Sequence, residues 1–139
     1  MTALEEERRW VVIFHDDFLL EYRGLAQAVQ NELVALTVNL GEKGPLLGRP
    51  QVGTLKGSRH ANMKELRFDA DGGVWRVAFA FDPERNAILL VAGDKGGVGK
   101  RRFYLDLIRV ADGRFDKHLM ALRSKKGRKN ASNTGRNTQ

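Results

Sequence analysis

Residues 62–93 read NMKELRFDADGGVWRVAFAFDPERNAILLVAG, and this stretch decides the fold. Three strand candidates, Asn62 to Phe68, Val74 to Phe81 and Ala87 to Gly93, are separated by Asp69-Ala70-Asp71-Gly72-Gly73 and Asp82-Pro83-Glu84-Arg85-Asn86. Connections this short and this rich in turn formers predict antiparallel hairpins, and strands joined in that way form a meander. Side chains along a strand alternate between faces. Trp75, Val77, Phe79 and Phe81 therefore share one face, the core side, and Val74, Arg76, Ala78 and Ala80 take the other. In the preceding strand Leu66 and Phe68 oppose Met63, Glu65 and Arg67. Arg67 and Arg76 thus project from the same open side, where the small Ala78 and Ala80 leave a shallow floor for a ligand. The plainer use of such arginines is to solvate an outer face, paired with Glu65 or Asp94. The third strand is apolar on both faces from Ile88 to Ala92, which suits a central strand and leaves the direction of Lys95 open.

Working outward, Trp10-Val11-Val12-Ile13-Phe14 is a short β-branched and aromatic run that His15-Asp16-Asp17 ends with an N-cap signal, so a strand followed by a helix is predicted. Phe18, Leu19 and Tyr22 make a brief helical turn that Gly24 closes. Leu25, Val29, Leu33, Leu36 and Leu40 then recur at helical spacing as one apolar stripe, which Gly41 and Gly44-Pro45 end. Residues 46–62 have no periodicity and read as an exposed loop carrying Arg49, Lys56, Arg59 and His60. Beyond Lys100, helical spacing returns in Phe103, Tyr104, Leu107, Ile108 and Val110, is interrupted at Asp112-Gly113, and resumes in Phe115, Leu119 and Leu122. From Arg123 to Gln139 the chain has one Ala and no other apolar residue, which predicts disorder. The expectation is an α+β fold: a small antiparallel sheet of about four strands, an N-terminal helical hairpin and a C-terminal helix. One domain covers residues 1–122, and a basic tail covers 123–139.

A chain of 139 residues holds one such domain and no second folding unit. It has no cysteine, which excludes disulfide scaffolds, thiolate zinc clusters and thiol nucleophiles. Three scattered histidines with no metal-ligand spacing give zinc nothing to bind. The acidic start, Glu5-Glu6-Glu7, is unlike a signal peptide, and the apolar runs are far too short to span a bilayer, so a soluble cytoplasmic protein is expected. The net charge of +7 is uneven: −5 over residues 1–42, +6 over 43–110, −1 over 111–116 and +7 over 117–139. A polyanion is the natural partner of that distribution. Lys95-Gly96-Gly97-Val98-Gly99-Lys100 follows a strand and precedes a helix like a phosphate-binding loop, but Arg101 stands where magnesium would need Ser or Thr. The segment reads instead as a flexible loop presenting Lys95, Lys100, Arg101 and Arg102 to a polyanion.

Pro45-Leu46-Leu47-Gly48-Arg49-Pro50, Thr54-Leu55-Lys56-Gly57, Lys64-Glu65-Leu66-Arg67, Val74-Trp75-Arg76-Val77-Ala78-Phe79 and Phe115-Asp116-Lys117-His118-Leu119 resemble the RelE/ParE superfamily. Within it they look most like the HigB-type, phage-related toxins of bacterial type II toxin-antitoxin modules. The resemblance runs from about Trp10 to Leu122. It implies a RelE-like fold, a metal-independent endoribonuclease that cuts messenger RNA on the ribosome, a helix-turn-helix antitoxin like HigA as partner, and neither a cofactor nor a membrane association. Such cleavage needs a base for the attacking 2′-hydroxyl, fixed charge on the phosphorane and help for the leaving 5′ oxygen; Arg67 and Arg76 suit the second task. By resemblance Arg76 falls on the arginine of the aromatic-Arg-hydrophobic strand motif and Lys95 near the basic residue after the last strand. Met63 and Glu65 replace the lysine pair of the RelE branch, so Glu65, His60, Asp94 and Lys95 all stay open as the base. RNA contacts are expected from Lys56, Arg59, Lys64, Lys100, Arg101 and Arg102, and from Tyr104 by stacking, although its spacing with Ile108 fits the core equally well. His118 reads as a half-buried structural residue. The alternatives are a catalytically inactive binding protein of the same fold and a phage nucleic-acid-binding protein.

Overall fold

The computed structural model describes residues 9–137, with side-chain surroundings described as far as Gly127. The elements are β1 (Val11–Phe14), α1 (Asp16–Arg23), α2 (Gln27–Lys43), a 3-10 turn (Gly44–Leu46), β2 (Val52–Thr54), β3 (Lys64–Ala70), β4 (Gly73–Phe81), β5 (Asn86–Asp94) and α3 (Lys100–Asn137). One five-stranded sheet runs in the order β1-β5-β4-β3-β2. β1 is parallel to β5 and the other pairs are antiparallel. The sheet is larger than the expected four strands because Val52 pairs with Leu66 and Thr54 with Lys64, a three-residue edge too short to carry an alternating pattern.

Helices cover both faces of the sheet. On one, Phe18 of α1 and Leu33, Leu36 and Leu40 of α2 bury Leu66, Val77, Phe79 and Leu89. On the other, Phe103, Leu107, Ala111 and Phe115 of α3 lie on Met63, Ala78, Ala80, Ile88 and Leu90. The face read as open is therefore mostly closed. Ala78 and Ala80 are 0 % exposed, and they are small because a helix lies on them rather than a ligand. Only the end of that face carrying Arg67 and Arg76 stays accessible.

A register shift between Ala78 and Phe79 places Ala78 opposite Val91 and Phe79 opposite Leu89, so Leu90 is the extra residue of a bulge in β5. Leu90 and Val91 consequently both face α3. The shift turns Gly93 toward α3, where an added Cβ would stand 2.8 Å from a ring carbon of Phe103. It also brings Lys95 to the accessible end of the same side.

Helix α3 runs through the expected break at Asp112-Gly113. Asp112, 5 % exposed, accepts hydrogen bonds from Ser58 Oγ and, at 3.2 Å, from the Arg59 amide. That tertiary anchor outweighs the roughly 1 kcal/mol that Gly113 costs a helix. One turn on, Asp116 pairs with Arg59 and His60, Lys117 with Asp17 at 3.7 Å, and His118 with Asp82 at 2.8 Å. Arg114 grips both oxygens of Glu21 at 2.7 Å and the Leu90 carbonyl at 2.8 Å. The run Arg114 to His118 thus fastens α3 to α1, to the β4–β5 turn and to the loop after β2. The backbone helix continues to Asn137, through the segment whose composition predicts disorder, and residues 123–127 are all exposed.

Candidate active site

At the accessible end of the α3 side lies a cleft of about 830 Å³. Its floor is β3 and β4, where Arg67 and Arg76 are direct cross-strand partners. Like charges set opposite each other destabilise a sheet, and Glu65, on the same face of β3, offsets them. Its carboxylate is 2 % exposed, 3.2 Å from Arg76 Nε and 3.6 Å from Arg67 Nη2. Tyr104 Oη, reaching down from α3, donates to Glu65 Oε1 at 2.8 Å and lies 3.3 Å from Oε2. Burial, and then this hydrogen bond, push the Tyr104 hydroxyl above its ordinary range, so it stays a donor.

The two arginines are held by different means. Arg76 Nη1 donates to the Trp75 carbonyl at 2.9 Å. Arg67 lies across β2, where a Cβ on Gly53 would meet its Nη2 at 2.5 Å, so any larger residue there would push the guanidinium out of this position. The Nε of each arginine is buried without a hydrogen-bond acceptor, the Arg76 Nε approach to Glu65 being close but misaligned. Both side chains remain partly accessible, Arg67 at 33 % and Arg76 at 13 %, and it is through their exposed N–H groups that the guanidinium groups can take an anionic oxygen from the cleft.

The walls come from Thr54 to Gly57 on one side and from Lys95, Lys100, Arg101, Tyr104, Leu105 and Ile108 on the other. Lys56, Arg67, Arg76, Lys95, Lys100 and Arg101 set six cations against the single carboxylate of Glu65. Desolvation, followed by repulsion from Arg76 and Lys100, lowers the pKa of Lys95 below its ordinary value.

Other sequence candidates are used elsewhere. Asp94 accepts from the amides of Val74 and Gly96, both at 2.9 Å, which keeps its carboxyl low and closes the end of the β4–β5 pair. His60 and Arg59 pair with Asp116 on the outer side of the loop. Arg102 pairs with Asp106 on the exposed side of α3 at 3.2 Å. Lys64 lines a separate hollow with Arg49 and Arg67. Met63, expected on the open face of β3, is 0 % exposed in the core under α3. Ile108 was legible as a core contact, which it also makes, while Leu105 carried no signal as a cleft residue because helical periodicity marks the core face and says nothing about what an exposed side chain meets. Among the described residues no three His, Asp or Glu side chains gather as a metal site, and no helix is long and apolar enough to cross a membrane.

The loop bearing Lys56 and Gly57 is fixed by its bonds to Asp112. Asp112→Ala leaves the Arg59 amide and the Ser58 hydroxyl without their acceptor, so a loss of about 1–3 kcal/mol in urea unfolding is expected, with weaker substrate binding from the loosened wall. Unchanged unfolding would show that the clamp contributes nothing.

Residues 21–116 match the family of phage-derived Gp49-like proteins (DUF891). Over 90 residues the chain is 49 % identical to a protein of Mycobacterium tuberculosis designated toxin HigB2, covering 63 % of this chain and 44 % of that one. It therefore spans less than half the length of that relative. Over 119 residues it is 38 % identical to another protein of the same organism designated toxin HigB3, covering 86 % of this chain and 92 % of the relative. Among solved structures, a mutant of the E. coli toxin RelE in the free state superposes with a TM-score of 0.52 at 15 % identity, over 72 % of this chain and 94 % of that one, a likeness of fold.

Proposed function

Because the chain belongs to the phage-derived Gp49-like family, among the HigB-like toxins of the RelE superfamily, we propose that it is the toxin of a type II toxin-antitoxin module and cleaves messenger RNA on the ribosome without a metal. The observation that carries this reading is the arginine pair: two guanidinium groups side by side at the floor of a cationic cleft, held by the buried carboxylate of Glu65. Preorganised charge of this kind stabilises a phosphorane whose oxygens gain charge as the 2′-hydroxyl attacks, and it needs no rearrangement at that moment.

Lys95 is the proton acceptor of this mechanism. It lines the cleft, and desolvation with its cationic neighbours lowers its pKa, so a larger share is neutral near neutral pH than for a free lysine. Glu65 is occupied by the arginines and by Tyr104, while Asp94 and His60 are engaged outside the cleft lining. Glu65 acts by holding the arginines in place. A base must be deprotonated to work, so cleavage is expected to rise with pH until Lys95 has lost its proton, with a midpoint below the ordinary lysine value of 10.5. Arg76→Gln removes a repelling cation and should move the midpoint of the residual activity upward. A midpoint that does not move, measured in single-turnover rates on programmed ribosomes, assigns the base elsewhere.

The partners that follow are translated message, ribosomal RNA and a helix-turn-helix antitoxin. α1 and α2, with five acidic residues against Arg23 and Lys43, are chemically unlike the cleft and offer that antitoxin a separate docking surface. The catalytic domain is residues 1–122, and the basic segment 123–139 adds phosphate contacts. Inducible expression followed by growth curves and transcript 5′-end mapping tests the proposal: arrest with new cuts inside translated regions is expected. The buried Met63 in place of a cleft lysine favours a second reading, a binding protein that blocks its target without cutting, which the same experiment would reveal as arrest without cuts.

A further inference from the structure

We infer that the cleft and the hollow beside it at the β2 edge together bind a linear chain of condensed phosphates, which shuts the message out. Binding follows from the charge and layout of the two cavities; the inhibition also rests on the ribonuclease reading of the cleft.

The cleft of about 830 Å³ and the hollow of about 290 Å³ share Thr54, Lys56 and Arg67 in their walls. β2 is the edge strand of the sheet and only three residues long. Arg67 crosses it at Gly53, where a Cβ would stand 2.5 Å from Nη2, so the missing side chain leaves room for the guanidinium. The same arginine therefore serves both cavities. Beyond it the hollow adds Arg49 and Lys64 and has no carboxylate in its lining.

Among the described residues, no ion pair engages Arg49, Lys56, Lys64, Lys95, Lys100 or Arg101, and Glu65 answers only Arg67 and Arg76. Scattered over an open surface, such cations need no partner. These line two adjoining concavities, where charge of one sign focuses the field and concentrates counter-ions. A scissile phosphodiester brings one negative charge to that lining. In an RNA strand a ribose separates each phosphate from the next, so a short length of strand leaves most of the cations unanswered. In a condensed phosphate chain neighbouring units share an oxygen and each carries its own charge, which matches the crowding of lysine heads and arginine forks. The glycine-rich turn from Lys95 to Lys100 lacks the Ser or Thr that would hold magnesium for a nucleotide, yet it brings both of its lysines to the cleft.

The test is titration calorimetry on the full chain with orthophosphate, tripolyphosphate, ATP and long-chain polyphosphate. Tripolyphosphate should bind about tenfold or more tighter than orthophosphate, ATP within about threefold of tripolyphosphate, and the long chain about tenfold tighter again, because it reaches from the cleft into the hollow. Arg49→Ala with Lys64→Ala should remove most of the gain from chain length and leave tripolyphosphate binding unchanged. Lys125→Ala with Lys126→Ala, on the exposed far stretch of α3, should keep that gain. A gain that survives the first double variant, or that disappears in the second, would overturn the inference. So would ATP binding far more tightly than tripolyphosphate, which would make a nucleotide the ligand. In single-turnover assays on programmed ribosomes, long-chain polyphosphate should suppress cleavage by the wild type at about a tenth of the concentration needed against the Arg49–Lys64 double variant. Equal inhibition of the two would overturn the blockade. Binding with the expected chain-length dependence, but no cleavage even without polyphosphate, would refute the nuclease reading and leave the phosphate channel standing.

Discussion

Arg76→Ala is expected to lower single-turnover cleavage by about a thousandfold and to abolish growth arrest, the scale seen when a preorganised donor to a developing oxyanion is removed. The same change carries a structural penalty that the sequence alone hides. An outward arginine on a solvated face could be truncated with little effect on unfolding. Here the side chain is only 13 % exposed and is the nearer cation of a buried carboxylate. Its loss leaves Glu65 with Arg67 at 3.6 Å and the Tyr104 hydroxyl. A destabilisation of about 1–3 kcal/mol in urea unfolding is therefore expected, small enough for the variant to remain folded at growth temperature. Arg76→Lys, which keeps the charge and gives up the planar fork, should fall between the wild type and the alanine variant. Arg102→Ala provides the contrast, because its ion pair with Asp106 is exposed on a side of α3 that does not line the cleft, and both activity and stability should stay near wild type. Continued growth arrest by a folded Arg76→Ala protein would place the reactive phosphate elsewhere.

What the sequence could convey about this arrangement depended on distance along the chain. Period-two alternation in β3 and β4 made the hairpin legible, and strand parity put Arg67 and Arg76 on one face, where they are in fact direct partners. The helical stripe of Leu33, Leu36 and Leu40 was legible for the same reason: its signal is local. Features set by contacts across the fold were not. Nothing in Ile88 to Gly93 announces the bulge at Leu90 that directs Lys95, because the run is apolar at every position before Gly93. Asp112-Gly113 looks like a helix break until Ser58, 54 residues earlier, is seen to bond the carboxylate. Ala78 and Ala80 looked like a floor for a ligand because small residues accommodate a helix or a ligand equally well. The family resemblance supplied the order of elements and the motif Phe115 to Leu119. The contacts explain what that motif does: three successive polar residues point to three different parts of the molecule and lock α3 in place above the arginines.

Glu65 follows from that logic, since its three partners come from β3, β4 and, 39 residues on, from α3. Two arginines in direct cross-strand register repel each other, and the carboxylate between them supplies the compensating charge. Glu65→Gln keeps the side chain's size and an oxygen for Tyr104 but removes that charge. It should cost about 3–5 kcal/mol, as breaking a buried ion pair does, because the arginines are left both unpaired and opposed. Adding Arg67→Gln to Glu65→Gln relieves the repulsion, so the double variant should be more stable than Glu65→Gln alone. Activity separates positioning from chemistry. With one negative charge fewer, the cleft should bind RNA more tightly at low salt, while the cleavage step slows by about ten- to a hundredfold as the guanidinium groups lose alignment. The residual activity should keep a rising limb, with its midpoint below that of the wild type, since the proton goes to Lys95 and the lost Glu65 charge had favoured the protonated lysine. Were Glu65 itself the base, Glu65→Gln would abolish the rising limb of the pH–rate profile, and that result would return Lys95 to the role of a phosphate contact.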